Sequence, residues 1–212
     1  MESAFPDDVI ILNSQSGDAI TTSSEFGYGF GNEFQSFASV GSIPHAYWSG
    51  HQYTMNHRGF YTSASANNSA ADADINAIKA KIPEVGLGAF ASKSGNTITV
   101  KTKSVFYNAV SATRYIGVYL LEDGVLALQQ MSTGTAQTTE HNNVVRATAN
   151  SSTGPLGLTS MGSSFTINQE VNGTYTITAN SAWNSSHLQV AVVVWEGNAA
   201  NNISNSVLVN VY

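Results

Sequence analysis

The spacing of apolar residues changes character near Pro83. Upstream of this residue, short apolar runs mix with helix-like spacings, whereas downstream of it apolar and polar residues alternate almost throughout. Alternation along a segment is typical of half-buried strands, and recurrence every three to four residues is typical of helices. The pattern predicts an α+β protein of two domains, in which residues 1–84 form an α/β unit and residues 85–212 form an antiparallel β-sandwich.

The start of the first unit contains a short apolar run, residues 9–12, that predicts a buried strand. A helix is predicted to begin at Ser23 or Ser24 and to end near residue 37. That helix would place four aromatic side chains on one face, which we interpret as part of a core rather than as a ligand site: Phe26, Phe30, Phe34 and Phe37.

The rest of the first unit is predicted to contain one strand and one helix. A turn at Ile43-Pro44 leads into a strand that ends at Trp48, and residues 51–69 are predicted to be irregular. Residues 70–82 predict a helix, because three isoleucines recur at helical spacing and Pro83 follows them.

The second unit is predicted to consist of about eight short strands separated by turn signals such as Asp123-Gly124 and Asn172-Gly173. This arrangement is typical of an immunoglobulin-like sandwich. The strand at 114–121 carries apolar residues on both faces, which predicts a central position between two layers. The other predicted strands are 96–105, 142–148, 165–171, 174–179, 188–195 and 207–212.

The composition excludes several classes of function. Charged residues make up 10% of the chain and the formal net charge is −6, so the chain has no cluster of cations with which to bind nucleic acid. With no cysteine, it has no disulfide, thiolate metal site or thiol nucleophile. Its apolar runs are far shorter than the roughly 20 residues of a membrane-spanning helix. The first residues do not form a secretion signal, and the polar composition favours a fragment that lacks its targeting segment over a cytosolic start.

Two segments of the second unit resemble a known family. Residues 114–125, which read RYIGVYLLEDGV, are followed by EHNNVVRA at 140–147, by Trp183, and by apolar strands at 188–195 and 207–211. This order is similar to the Omp28-related outer membrane protein family of Bacteroidota, over roughly residues 96–212. The most specific matches are His141, Asn142, Val144, Arg146 and Ala147.

The resemblance implies a thioredoxin-like domain joined to a C-terminal β-sandwich. Residues 1–84 would then be the later part of such a domain, and residues 9–13 its strand after the redox helix. Ile43 and Pro44 would match the thioredoxin-type Ile-Pro. The family pattern places one more strand and the redox helix, with any Cys-x-x-Cys pair, upstream of Met1. The first unit is therefore expected to be N-terminally incomplete, which puts a redox role in doubt.

Few residues are candidates for chemistry. His45, His51 and His57 are near one another in sequence, but their spacing is not typical of a metal site, so we predict neither a metal nor another cofactor. No serine lies in a Gly-x-Ser-x-Gly elbow. If residues 140–146 form one strand, Glu140 or another carboxylate can pair with Arg146, and we interpret that pair as structural.

The best candidate for a recognition surface is the loop from residue 48 to residue 60, because loops on a rigid scaffold often carry binding residues. Its candidate binding residues are Trp48, His51, Tyr53 and His57. The sequence thus favours a non-catalytic protein of the cell envelope, outer membrane or cell surface that binds a protein or another ligand. Two alternatives stay open: a thiol-disulfide oxidoreductase whose cysteines lie upstream, and a surface subunit that assembles with itself through open strand edges.

Overall fold

A computed structural model describes residues 9–13, 46–48, 56–58, 72–73, 75–130, 134–154, 156–197 and 203–212. These residues contain mostly strands and little helix. Helical backbone is present at 72–73 and 75–79, and two short 3-10 helices are present at Ser151–Thr153 and Ser185–His187. The strands are β1 (Ala46–Trp48), β2 (Asn56–Arg58), β3 (Val85–Ser94), β4 (Thr97–Phe106), β5 (Arg114–Glu122), β6 (Val125–Gln130), β7 (Ala136–His141), β8 (Val144–Thr148), β9 (Thr159–Gly162), β10 (Glu170–Thr178), β11 (Leu188–Trp195) and β12 (Ile203–Asn210).

Two antiparallel sheets form the body of the second unit. One sheet has the strand order β10-β4-β3, and the other has the order β12-β11-β5-β8, with β9 also paired to β5. β8 and β9 share one edge of β5, because β8 pairs with its C-terminal half and β9 with its N-terminal half. β6 and β7 form a separate hairpin, and β1 and β2 form another two-stranded pair. The predicted sandwich of antiparallel strands is confirmed at this level.

The main core lies between the two sheets. Along β4, Ile98 and Val100 are buried while Lys101 is exposed, as the predicted alternation requires. The facing sheet supplies side chains from its two central strands. The buried members of this cluster are Ala91, Ile98, Val100, Ile116, Val118, Leu120, Ile177, Ala179, Leu188, Val190 and Val192.

The second face of the five-stranded sheet is also covered. Tyr119 on β5 and Trp195 on β11 belong to a second buried cluster, and Trp195 Nε1 donates to the Tyr119 hydroxyl at 3.2 Å. Ile10 and Leu12 pack against this cluster. Since β5 pairs on both edges and is apolar on both faces, its predicted central position is confirmed.

The start of the second unit is fixed by a buried ion pair. Arg114 donates from Nε and Nη2 to the two carboxylate oxygens of Glu84 at 2.7 and 2.8 Å. These hydrogen bonds raise the pKa of Arg114, although burial opposes the increase. Asn205 Nδ2 donates to the carbonyl of Val85 at 2.8 Å. β3 therefore begins at the predicted boundary, and the division into domains at residues 84 and 85 stays a prediction.

Several expected elements differ in the structure. Asn172-Gly173 is not a turn, because β10 runs without a break along β4 and Gly173 pairs with Thr102. A Cβ at Gly173 would lie 2.6 Å from the ring of Tyr175, so the glycine makes room for that ring. The expected strand at 165–171 is also wrong, since residues 166–169 turn before β10 begins and Gln169 donates to the Thr166 carbonyl at 3.1 Å.

Other strands and strand limits also differ from the prediction. β6, β7 and β9 were not expected, and β8 begins at Val144 rather than at residue 142. Residues 56–58, expected to be irregular, pair with residues 46–48. Residues 9–12 form no strand, and Asn13 forms a parallel bridge with Val144.

The first unit is described only in part. Helical backbone at 75–79 confirms the centre of the second predicted helix, and Ile75 is buried as expected. Ile82 is 79% exposed and so lies outside the buried stripe. The helix expected near residues 23–37, with its phenylalanines, and the Ile43-Pro44 motif lie outside the described residues. A thioredoxin-like unit is not confirmed. No helix within the described segments is long and apolar enough to cross a membrane.

Candidate functional site

The residues of the family-like motif meet where the β6–β7 hairpin leaves the sandwich. β5 and β6 are separated only by Asp123-Gly124, and β7 and β8 only by Asn142-Asn143. The two interruptions lie opposite each other, because Glu122 pairs with Val144 and Val125 pairs with His141. We call the β6–β7 hairpin the arm and these four interrupting residues its base.

The base is built from side chains that bind the backbone. Asn143 N donates to Asp123 Oδ1 at 2.7 Å, and Gly124 N donates to Asn142 Oδ1 at 2.8 Å. Gly124 and Asn143 have φ values of 69° and 56°, a left-handed conformation that glycine and asparagine tolerate best. The Asp-Gly and Asn-Asn sequences therefore bend the ladder while keeping its backbone groups bonded.

An ion pair next to the base links three segments. Arg146 Nε donates to Glu122 Oε2 at 2.6 Å, and the other carboxylate oxygen accepts from Asn184 N at 2.7 Å. Both charged side chains are 6% exposed. The Arg146 guanidinium lies 5.5 Å from the centre of the Trp183 ring, within the range of a cation–π contact. The pair connects β5, β8 and the loop before β11.

The predicted partner of Arg146 needs correction. Glu140 does not pair with Arg146, because residues 140–146 do not form one strand and the bend at Asn142-Asn143 separates the two side chains. Glu140 instead accepts from Asn142 Nδ2 at 3.5 Å. The expectation that another carboxylate pairs with Arg146 is confirmed by Glu122, whose role could not be read from sequence spacing.

An open cleft of about 390 Å³ lies beside the arm base. One wall comes from the arm and the other from the ends of β11 and β12. Gln189 Nε2 donates to Asn210 Oδ1 at 3.2 Å, and His187 Nδ1 lies 3.1 Å from the Asp123 carbonyl. The lining residues are Asp123, Gly124, Leu126, Glu140, Asn142, Ser186, His187, Leu188, Gln189, Asn210 and Val211.

One face of the arm exposes two leucines. Leu126 and Leu128 lie two residues apart on β6, so they share a face, and they are 67% and 53% exposed. On the other face, Thr139 Oγ1 donates to Gln129 Oε1 at 3.1 Å and lies 3.0 Å from His141 Nε2. This polar row fixes the arm internally and leaves the leucines available for binding.

The cleft combines polar groups with apolar side chains. It offers carboxylate, amide, hydroxyl and imidazole groups for hydrogen bonds beside leucine and valine side chains, a combination that is typical of a binding cleft. Within the described part of the chain, no group of three or more His, Asp or Glu side chains lies close enough together to hold a metal ion.

The structure brings the motif residues together around the base. His141 and Val144 are buried, Asn142 and Arg146 make the contacts described above, and Ala147 packs against the main core. Sequence reasoning missed Asn184 and His187 as neighbours of this site. Both residues precede the strongly apolar strand β11, but no local sequence pattern indicates that their loop reaches the end of β5.

The loop expected to form a recognition surface is described only at its margins. Trp48 and His57 lie in paired strands, where Trp48 is opposite Asn56 and His57 is opposite Tyr47. His51 and Tyr53 lie outside the described residues, as do Ile43 and Pro44. The binding role of this loop stays a prediction.

Comparisons with known proteins indicate a fold but no family. No protein-family model and no curated protein matches the chain. Among solved structures, the chain is similar to HBP35 of Porphyromonas gingivalis, with a TM-score of 0.58 and 11% identity over 85% of this chain. The matched region is 57% of that chain. At this identity, the likeness concerns the fold alone.

Two further structures match more weakly. A domain of the outer membrane lipoprotein Omp28 from Porphyromonas gingivalis matches 62% of this chain and 90% of its own length, at 17% identity and a TM-score of 0.40. A DUF3823 family protein from Bacteroides ovatus matches 60% of this chain and 56% of its own length, at 20% identity and a TM-score of 0.30. The structures similar to this chain thus include proteins of Bacteroidota, and the TM-scores of these two are too low to show a common fold.

Proposed function

We propose that the protein is a non-catalytic component of a bacterial cell envelope or surface, of the Bacteroidota type, that binds a protein or another ligand with its arm and the adjacent cleft. The observation that carries this proposal is the exposed pair Leu126 and Leu128 on a hairpin whose base is held by specific hydrogen bonds. Exposed apolar side chains on a hairpin that is anchored to a packed body are typical of a binding surface.

The contacts inside the cleft also support binding. Asp123 and Asn142 already bond to the backbone of the base, and Gln189 bonds to Asn210. Side chains that are committed to such bonds hold the shape of the site. Catalysis by a side-chain nucleophile would instead need a base within hydrogen-bond reach of that nucleophile.

The envelope location is supported by the sequence. The chain is rich in uncharged polar residues, with 10% charged residues and a net charge of −6. The motif residues that resemble Omp28-related proteins meet at one place in the fold, around the arm base. We therefore assign this protein an interaction role at the envelope, with the arm as its contact surface.

The test is photo-cross-linking in the native bacterium. A photoreactive phenylalanine analogue replaces Leu126 in one strain and Ile167 in a control strain. Ile167 is 62% exposed and lies in the turn before β10, away from the arm. The proposal expects the protein in the envelope fraction and adducts from position 126 but not from position 167. Recovery of the protein in the cytosolic fraction, or equal adducts from both positions, overturns the proposal.

A further inference from the structure

One edge of β6 has no strand partner among the described residues. β6 pairs with β7, whereas β5, which precedes it directly in the chain, pairs on both edges. The backbone N–H and C=O groups along an unpaired edge can bond to a further strand. β6 is therefore open to strand addition.

The sequence of this edge lacks the features that normally prevent strand addition. Residues 125–130 read VLALQQ, with no charged residue and no proline. Natural edge strands are often protected by lysine, proline or a bulge. Over the whole stretch 125–141, the only acidic or basic residue besides His141 is Glu140. An arriving strand thus meets no charge that opposes it.

We propose that β6 pairs with β6 of a second copy of this chain, antiparallel and with Ala127 of the two copies directly opposite each other. This inference rests on the proposed function and names its partner. In this register, Leu126 lies opposite the partner's Leu128, and Leu128 lies opposite the partner's Leu126. A shift by one residue would place leucines opposite residues of the other face, so the apolar pattern selects this register.

The pairing is self-complementary. Because the two strands are identical and antiparallel, a two-fold axis passes through the pair at Ala127, and the assembly closes as a dimer. The two arms together form a four-stranded sheet with the order β7-β6-β6-β7, in which four leucines cluster on one face. A second copy fits this edge because its own β6 presents the same uncharged edge and the same leucines.

The absence of cysteine from the chain allows a direct test by disulfide trapping. In the proposed dimer, the two Ala127 Cα atoms lie about 5 Å apart, within the range of a disulfide. Gln137 lies on β7 opposite Gln129 and on the same face as Ala127. Two copies of Gln137 would be separated by three strand spacings across the sheet, about 14 Å, and by a further offset along the strands, which is too far for a disulfide.

The experiment therefore compares Ala127→Cys with the matched control Gln137→Cys in the otherwise unchanged chain. Under mild oxidation, we expect Ala127→Cys to form covalent dimers at least roughly tenfold faster than Gln137→Cys, because only the first pair meets the distance limit. Equal rates for the two variants overturn the proposal.

A second measurement tests the leucines without adding a cross-link. Leu126→Lys/Leu128→Lys places two pairs of ammonium groups opposite each other in the proposed register, which disfavours pairing. Light scattering after size exclusion should show a mass that rises with protein concentration for the parent chain and for Ile167→Lys, but not for the double variant. A parent chain that stays monomeric at high concentration contradicts the inference. If adducts to another protein still form at position 126 in cells, the proposed function stands and the self-pairing alone fails.

Discussion

β5 and β6 are consecutive strands with similar apolar residues, but they lie in different surroundings. β5 lies between two layers, with Val118 and Leu120 facing the main core and Tyr119 and Leu121 facing the second cluster. β6 begins after two intervening residues and leaves its leucines exposed. The comparison shows that apolar residues alone do not decide burial, because β5 is covered on both faces whereas the face of β6 that carries its leucines is not covered by described residues.

The two regions also differ in what holds them. The body is stabilised by the burial of apolar side chains on both faces of its central strands, whereas the arm is joined to the body by the hydrogen bonds at its base and by the buried cluster of Val125 and Val144. An isolated two-stranded hairpin is only marginally stable in water. The stability of the arm is therefore expected to depend on the hydrogen bonds of its base and on pairing with a second copy of the chain.

The largest effect is expected at the ion pair of the body next to the arm base. Arg146→Met should lower the free energy of unfolding by roughly 3–5 kcal/mol, because Glu122 then stays buried without its charged partner. Glu122→Met/Arg146→Met should recover most of this loss, since it removes both charges. Urea unfolding of the two single variants and the double variant measures the coupling. Additive losses would show that the pair is not coupled.

The same substitution in the two regions should give very different results. Leu120→Ala removes a fully buried side chain from the main core and should cost roughly 2–5 kcal/mol. Leu128→Ala changes an exposed side chain and should alter the stability of the monomer by about 0.5 kcal/mol or less. The check is urea unfolding at low protein concentration. Similar costs at both positions would mean that the arm is packed as the body is.

The sequence predicted the body better than the arm. The two-sided apolar pattern of β5 is a local signal, so its central position could be predicted. The partner of Arg146 could not, because Glu122 lies 24 residues away and the nearer Glu140 fits a continuous strand equally well. The bend that separates Glu140 from Arg146 depends on the hydrogen bond from Asn143 N to Asp123 Oδ1. This bond could not be predicted, because the sequence does not show that the two interruptions lie opposite each other. An oxidoreductase role with upstream cysteines stays a prediction.

A smaller effect is expected at the base. Asp123→Ala removes the acceptor for Asn143 N and should cost about 1 kcal/mol. Amides of β6 and β7 should exchange faster in this variant, while those of β11 should not change. Asp123→Asn retains an acceptor oxygen and should restore most of the protection. Faster exchange in β11 would show that the base supports the body as well as the arm.

The smallest effect on stability at neutral pH is expected from the ionisation of the Tyr119 hydroxyl. Burial raises the pKa of Tyr119, although the hydrogen bond with Trp195 opposes the increase. Since the unfolded chain loses this proton first, the free energy of unfolding should fall as the pH rises above about 10. An ultraviolet titration should show no phenolate from Tyr119 until the fold opens. A phenolate signal that the folded chain shows and that Tyr119→Phe lacks would contradict this burial.

The most direct test of the contrast between body and arm is amide hydrogen exchange on the intact protein at a low and a high concentration. The amides of β5 and β11 should be protected equally at both concentrations. Those of β6 should exchange quickly in the dilute sample and become protected in the concentrated one, as the open edge gains a partner. Protection of β6 that equals that of β5 in the dilute sample would contradict the account.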